Sequence, residues 1–212
     1  MTKPTVRKRE TYHVGNLVPL LLSAAREMLE EVGPTKLSMR ALSERVGVSS
    51  AAIYHHYSNR AELIVHLAAL GFRELGKVHA VRDKTAPSLQ KLRTGCLTYL
   101  NFARSNPALY QLMFGPECSA ETISPVLLKA REEAFNELME AVAEILNLDK
   151  EIEEVHDAAF SIWSYTHGLA SLVIHGAMQP PPNMTEEGLI DKTLQGFAHL
   201  LNATQGTANS PA

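Results

Sequence analysis

Cysteine is scarce in this sequence: Cys96 and Cys118 are the only two, and their separation fits neither a CxxC motif nor a zinc-type spacing. We therefore expect no disulfide framework, and instead expect two free thiols in a reducing compartment. The first ten residues are polar and basic and no apolar segment follows them, so no secretory signal is expected either. These absences predict a cytoplasmic protein, associated with the nucleoid if it binds DNA.

Long apolar runs are almost absent as well. Residues 158–178 carry no Lys, Arg, Asp or Glu over 21 residues, which is long enough to cross a bilayer. The same segment contains three serines, one threonine and two histidines, each of which is costly in hydrocarbon. A buried helix, with no membrane partner, is the better interpretation.

Sequence motifs of enzymes and metal sites are missing too. The chain has no nucleophile elbow, no glycine-rich phosphate loop and no HExxH sequence. His156, His167 and His175 do not form the i, i+4 pair that a helical metal site uses. We therefore predict no metal, no cofactor and no enzymatic activity, and expect His167 to be a buried histidine bonded to a neighbour. An enzyme that happens to be helical is the main alternative.

The charge of the chain is unevenly distributed. Residues 1–60 hold nine Lys and Arg against five acidic residues, a net of +4. Residues 61–212 hold eleven basic and eighteen acidic residues, a net of −7. A basic N-terminal part on an acidic body favours nucleic-acid binding, because neutralising phosphates supplies most of the non-specific affinity.

Apolar residues recur at helical spacing throughout, and no convincing strand alternation is present. The chain is thus predicted to be all-α with about nine helices. The first runs from a cap at Asn16 to Gly33, followed by a unit of two short helices within 38–57. Six further helices are expected after this unit, at about 60–84, 88–105, 107–114, 124–147, 150–177 and 185–201. The predicted domains are a head at 12–60 and a body at 61–203, with flexible segments at 1–11 and 204–212.

The two short helices form the most informative unit. Ser38 and Ser49 are suitable N-caps, and Gly47 between the helices supplies the left-handed backbone of an abrupt turn. Ile53 and Tyr57 sit four residues apart and point towards the first helix, which leaves the opposite face exposed. Two short helices with apolar residues only on their shared face predict a helix-turn-helix.

These residues resemble the TetR family of transcriptional regulators. The resemblance covers about residues 12–65 and rests on YHVGNL (12–17), LSMRALSERVGVS (37–49), IYHHY (53–57) and NRAEL (59–63). In the body, NPALYQLMFG (106–115) and WSYTHG (163–168) are similar to the subgroup whose C-terminal domain is named for a Trp…His-Gly motif. The resemblance implies nine or so helices, a homodimer built on the last two long helices, and regulation by a small molecule bound in the body.

The resemblance and the expected geometry together place the second short helix in the DNA major groove. The two serines can hydrogen-bond to phosphates or bases, and the two alanines can contact a thymine methyl group. For Tyr54 and His56, packing inside the head is the alternative. The predicted DNA contacts are Arg40, Ser49, Ser50, Ala51, Ala52, Tyr54, His55, His56, Asn59 and Arg60.

Aromatic and methionine side chains of the body are candidates for an effector pocket. Each one alone is more often plain core, but apolar pockets with few polar groups are common between bundled helices. The predicted lining is Tyr99, Phe102, Tyr110, Met113, Phe114, Met139, Trp163 and His167.

The predicted function is a ligand-responsive transcriptional repressor. It binds double-stranded (pseudo)palindromic operator DNA as a homodimer, and a small apolar or aromatic effector releases it. The basic residues Lys3, Arg7, Lys8 and Arg9 either follow the DNA or form a solubilising tail. A DNA-binding protein without an effector is the second alternative, and activation of transcription remains compatible with the sequence.

Overall fold

The computed structural model describes residues 17–119 and 124–207, and in these residues every regular element is helical. Nine α-helices and two short 3-10 turns are present in the described part of the chain, so the predicted all-α fold is confirmed. The helices are α1 (Leu17–Val32), α2 (Met39–Val46), α3 (Ser50–His56), α4 (Arg60–Ala80), α5 (Ser88–Ser105), α6 (Pro107–Met113), α7 (Pro125–Leu146), α8 (Glu153–Ile174) and α9 (Glu186–Thr207). The predicted basic arm and the predicted cap Asn16 lie outside the described residues.

Polar side chains begin the helices of the head, as their sequence predicts. The Ser38 hydroxyl accepts from the Ala41 N–H at 3.1 Å and begins α2. The Ser49 hydroxyl accepts from the Ala52 N–H at 3.2 Å and begins α3. Between them Gly47 adopts φ 74°, a left-handed conformation that glycine takes without steric cost.

Three helices differ from their predicted boundaries. α4 ends at Ala80 rather than near residue 84, because the Asp83 carboxylate accepts from the Thr85 N–H at 2.8 Å and forms a turn instead. α8 is shorter than predicted at both ends, and Asp149 does not cap it, since Ile152 is its N-cap residue. α9 continues past the predicted end near residue 201.

Glycines let the body helices approach α4 closely. A Cβ added at Gly71 would lie 2.5 Å from the Met113 sulfur of α6, which is closer than real Cβ contacts allow. A Cβ at Gly76 would lie 3.2 Å from Ala134 Cα of α7. α4 is thus packed against α6 and α7 along its C-terminal half, the half that reaches the body.

No helix within residues 17–119 and 124–207 is long and apolar enough to cross a membrane. α8, which contains most of the apolar segment 158–178, packs instead against α5 and α7.

Candidate functional site

The helix-turn-helix presents one buried and one exposed face, as predicted. Ile53 and Tyr57 are fully buried against the head, together with Leu42 of α2. Tyr54, on the opposite side of α3, leaves 53% of its surface exposed. Packing inside the head therefore does not account for Tyr54, and its ring is free to meet a ligand outside the protein.

Most of the predicted DNA contacts share this exposed surface. Arg40 extends from α2, and its guanidinium donates to the Glu44 carboxylate of its own helix at 3.0 Å. Ala52 and His56 are partly buried, and the His56 ring packs edge-on against that of His55. The remaining exposed members of the predicted set are Ser49, Ser50, Ala51, His55 and Asn59.

Some of these side chains also hold the head together. The Asn59 side-chain oxygen accepts from the Glu62 N–H at 2.9 Å and begins α4. Arg60 is half-buried, and its guanidinium donates to the Leu37 carbonyl at 2.9 Å and to the Pro34 carbonyl. Arg60 thus fastens the turn between α1 and α2, and its predicted DNA contact stays a prediction.

Head and body are joined by a contact that the sequence did not suggest. The Glu30 carboxylate of α1 accepts from the backbone N–H groups of Leu109, at 3.0 Å, and Ala108, at 3.1 Å. Glu30 therefore caps α6, and Asn106, the N-cap residue by position, makes no side-chain capping bond. Its amide instead binds Arg26 of α1 at 2.5 Å and the Phe102 carbonyl at 2.8 Å.

Arg26 strengthens the same junction. Besides the Asn106 oxygen, its guanidinium contacts the Glu74 carboxylate of α4 at 2.5 Å. One side chain of the head thus touches both α4 and the start of α6. A shift of α6 relative to α1 has to break or rearrange these charge-assisted hydrogen bonds.

A polar cluster connects α6 with α5 and α8. The Tyr110 hydroxyl lies 2.7 Å from His167 Nδ1 and 3.1 Å from the Tyr99 hydroxyl. Burial lowers the pKa of His167 and raises the pKa of Tyr110 to about 12, so both are neutral near pH 7. His167 is bonded to a neighbour as predicted, but it is only partly buried.

The eight predicted effector residues do not line one pocket. Phe102 and Met113 are core residues, and Met139 borders a surface depression on α7. Tyr99 and Trp163 border a small internal cavity of about 30 Å³, and Phe114 and Trp163 border an open groove. The assignment of these residues to an effector stays a prediction.

The body contains a larger cavity that none of the eight residues lines. It has a volume of about 200 Å³ and lies between α4, α5, α7 and α8. Its walls combine aliphatic side chains, such as Val78, Leu138 and Ile162, with polar ones, such as Arg82 and Lys91. His79, near the end of α4, borders both this cavity and the small one beside Trp163.

Sequence reasoning missed His79, although a signal was present. His79 lies four residues after Leu75 on the buried face of α4, where an apolar residue is expected. A histidine at such a position is either bonded within the core or turned towards a cavity. The cavity itself depends on how α5 and α7 are placed, which no local pattern specifies.

The last two helices leave apolar side chains uncovered. Phe160 and Leu172 of α8 are 47% and 44% exposed, and Phe197 of α9 is 54% exposed. The Tyr165 hydroxyl of α8 bonds to the Thr193 hydroxyl of α9 at 2.5 Å, so the two helices touch at this point. Within the described residues, no group of three or more His, Cys, Asp or Glu side chains is placed to hold a metal ion.

Curated relatives match only part of the chain. The nucleoid occlusion factor SlmA of Vibrio vulnificus is 30% identical over 99 residues, covering 45% of this chain and 50% of the relative. The chain thus spans about half the length of the curated relatives it matches.

Solved structures resemble it over most of its length. A protein of unknown function from Rhodococcus sp. RHA1 is 23% identical with a TM-score of 0.73, covering 90% of this chain and 97% of that one. The TetR family transcriptional regulator PfmR from Thermus thermophilus is 19% identical with a TM-score of 0.56, covering 80% and 92%. At these identities the likeness concerns the fold.

Family models cover both parts of the chain. A model described as bacterial regulatory proteins of the tetR family matches residues 21–67, which contain the helix-turn-helix. A model described as a tetracyclin repressor-like C-terminal domain matches residues 92–199, about half of the chain. The chain therefore belongs to the TetR family, whose members are DNA-binding regulators and not enzymes.

Proposed function

We propose that the protein is a homodimeric transcriptional repressor that binds a (pseudo)palindromic operator and is released from it by a small apolar or aromatic molecule. The exposed face of α3, from Ser49 to His56, enters the major groove, and Arg40 of α2 reaches the DNA beside it. The family supports DNA binding as such. The operator, the effector and the residues in contact are the proposed parts.

The observation that carries the ligand response is the path of α4. This helix begins three residues after α3 and ends among the residues that line the 200 Å³ cavity. Its 21 residues span about 30 Å at a rise of about 1.5 Å per residue. A molecule that changes the packing around Val78 and His79 therefore acts on the same rigid element that carries the recognition helix.

The proposed dimer uses α8 and α9. A helix pair with exposed Phe160, Leu172 and Phe197 gains stability when a second copy covers these side chains. Two-fold symmetry then places two recognition helices against successive major grooves, about 34–36 Å apart. A ligand that favours a body shape with a different spacing weakens operator binding, and operator DNA weakens that ligand by the same factor.

A DNA-binding protein without an effector is the second candidate. The curated relatives are named nucleoid occlusion factors, and that name does not include a small molecule. This candidate predicts that no ligand of the body changes the affinity for DNA.

Selection of DNA fragments from a random pool by the purified protein tests the proposed operator. The proposal expects one enriched sequence with two-fold symmetry and half-sites about one helical turn apart. Binding without sequence preference, with affinity that depends only on salt, would contradict it.

A further inference from the structure

His79 is a buried polar side chain without a partner in the described residues. It is 9% exposed, and its backbone carbonyl accepts from Arg82 Nη1 at 2.8 Å, but its imidazole makes no hydrogen bond within residues 17–119 and 124–207. The ring borders both internal cavities. Burial and the nearby Arg82 lower the pKa of His79 to about 4, so the ring is neutral near pH 7. A neutral imidazole offers one donor and one acceptor, and both can bind a ligand that enters the cavities.

Arg131 of α7 lines the same small cavity. It donates to the Cys118 carbonyl at 2.7 Å, and its guanidinium carbon lies 5.2 Å from the centre of the Phe72 ring. No carboxylate in the described residues lies within 4.0 Å of it, the distance that defines an ion pair. Seven other described arginines do have such a partner: Arg26, Arg40, Arg45, Arg73, Arg82, Arg93 and Arg104.

The small cavity has the size of a carboxylate. Its volume of about 30 Å³ holds roughly two water-sized groups, since one water molecule needs a cavity of about 10–15 Å³. Its other walls are apolar or aromatic and include Leu75, Phe135 and Trp163. An anion that enters meets Arg131 and His79 among apolar walls, where the attraction between opposite charges is stronger than in bulk water.

The larger cavity adjoins the small one at His79 and Leu138, which border both. Its aliphatic side chains, which include Leu138, Val142 and Ile162, suit an apolar group attached to the anion. Its volume of about 200 Å³ lies below the roughly 300–1,000 Å³ of pockets for drug-sized ligands. The space therefore selects a short or medium-length tail and excludes a long one.

We propose that the protein binds a monocarboxylic acid, whose carboxylate lies between Arg131 and His79 and whose apolar tail fills the cavity between α4, α5, α7 and α8. Calling this acid the effector rests on the proposed function. The binding itself does not, because it can be measured on the free protein without DNA.

Trp163 makes the test direct, because it is the only tryptophan of the chain and it lines the small cavity. Tryptophan fluorescence is titrated with octanoate, phenylacetate and hexadecanoate, and with the uncharged octanamide and octan-1-ol. Octanoate or phenylacetate is expected to bind at least roughly tenfold more tightly than the uncharged compounds, as a charge-assisted pair requires. Hexadecanoate is expected to bind more weakly than octanoate.

Variants locate the carboxylate. Arg131→Gln is expected to weaken octanoate binding roughly tenfold or more and to leave octanamide nearly unchanged, while Arg131→Lys retains part of the preference. His79→Leu, which fills the same space without polar atoms, is expected to weaken octanoate binding severalfold. Lys129→Gln, on an exposed side chain of α7, removes the same charge and serves as the control.

Three outcomes would overturn the proposal. The acids could bind no more tightly than the uncharged compounds, or Arg131→Gln could weaken octanoate binding no more than Lys129→Gln does. The third is that Lys91→Gln, and not Arg131→Gln, abolishes octanoate binding. The last would put the carboxylate at the outer end of the larger cavity, which Lys91 borders. Thermal unfolding of each variant checks that it is folded. If Arg131→Gln does not fold, octanoate binding by Arg131→Lys tests the role of Arg131. Acids that bind but leave operator affinity unchanged would instead contradict the proposed function and leave this site standing.

Discussion

A carboxylate oxygen of Glu30 in α1 lies 3.0 Å from the backbone nitrogen of Leu109, in the first turn of α6, and so caps that helix. α6 also carries Tyr110, which is bonded to His167 of α8 at 2.7 Å. One short helix thus contacts the DNA-binding head at its N-terminus and the interior of the body along its side. We expect movements of the body to reach the head through this contact as well as through α4.

Glu30→Ala is expected to reduce the coupling between ligand and DNA. The variant loses two charge-assisted hydrogen bonds at a helix N-terminus, and since Glu30 is largely exposed the loss of stability should be only about 1 kcal/mol. The ratio of operator affinities without and with ligand should move towards one. Fluorescence anisotropy of labelled operator DNA measures that ratio.

The matched control is Glu27→Ala, one turn earlier on α1. The Glu27 carboxylate is exposed and comes no closer than 4.0 Å to the guanidinium of Arg45. Glu27→Ala should leave the ratio unchanged. Equal ratios in the wild type and in Glu30→Ala would show that the α1–α6 contact does not transmit the response.

Ser50→Gln is expected to change the DNA sequence that the protein selects. Ser50 is exposed at the start of α3, where a recognition helix meets base edges, and its hydroxyl is bonded only weakly to Ser43, at 3.3 Å. A longer amide side chain at this position prefers adenine, and a mismatch at one base pair costs about 1–3 kcal/mol. Sequencing the selected fragments for both proteins tests this, and an identical motif would place Ser50 away from the bases.

The stability of the protein should fall between about pH 6.5 and pH 4 because of His79. Its pKa is about 4 in the folded protein and about 6.5 when unfolded, so the unfolded chain binds more protons in this range. Stability from this group is therefore complete above pH 6.5 and is lost on acidification, at up to about 1.4 kcal/mol per pH unit.

His79→Gln removes this titration, and the difference between wild type and variant isolates it from the carboxylates that titrate in the same range. Urea unfolding at several pH values measures both proteins. A difference in unfolding free energy that stays constant with pH would mean that the imidazole is not buried as a neutral group.

Leu172→Glu is expected to convert the proposed dimer into monomers. A carboxylate in the proposed apolar α8–α9 interface has no partner there, and burying it unpaired is costly. Leu89→Glu is the control, because Leu89 of α5 is more exposed than Leu172 and lies on a different helix. Sedimentation analysis should find monomers for Leu172→Glu and not for Leu89→Glu. If both variants are dimers, the interface lies elsewhere.

Local patterns were sufficient for the head. Ser38, Gly47, Ser49 and Asn59 act over three or four residues, and capping and turn chemistry specify their roles without any knowledge of the rest of the chain. The fold class and the family followed from the same segment.

The body could not be derived in this way. The cap of α6 comes from Glu30, which is 78 residues before Ala108 in the chain, so no local motif could reveal it. The predicted pocket followed the aromatic side chains, but several of these fill the core, and the larger cavity lies between α4, α5, α7 and α8. Cavities depend on how helices pack over long sequence distances, and composition does not specify them.

The central claim is that a molecule bound in the body controls operator binding. It is tested most directly by titrating labelled operator DNA with ligand-free protein and with protein saturated by a carboxylate that changes Trp163 fluorescence. The account predicts that saturation weakens operator binding roughly 5- to 150-fold, the range of a coupling free energy of about 1–3 kcal/mol. Equal operator affinity in the two states, with the fluorescence showing that the cavity is occupied, would contradict it.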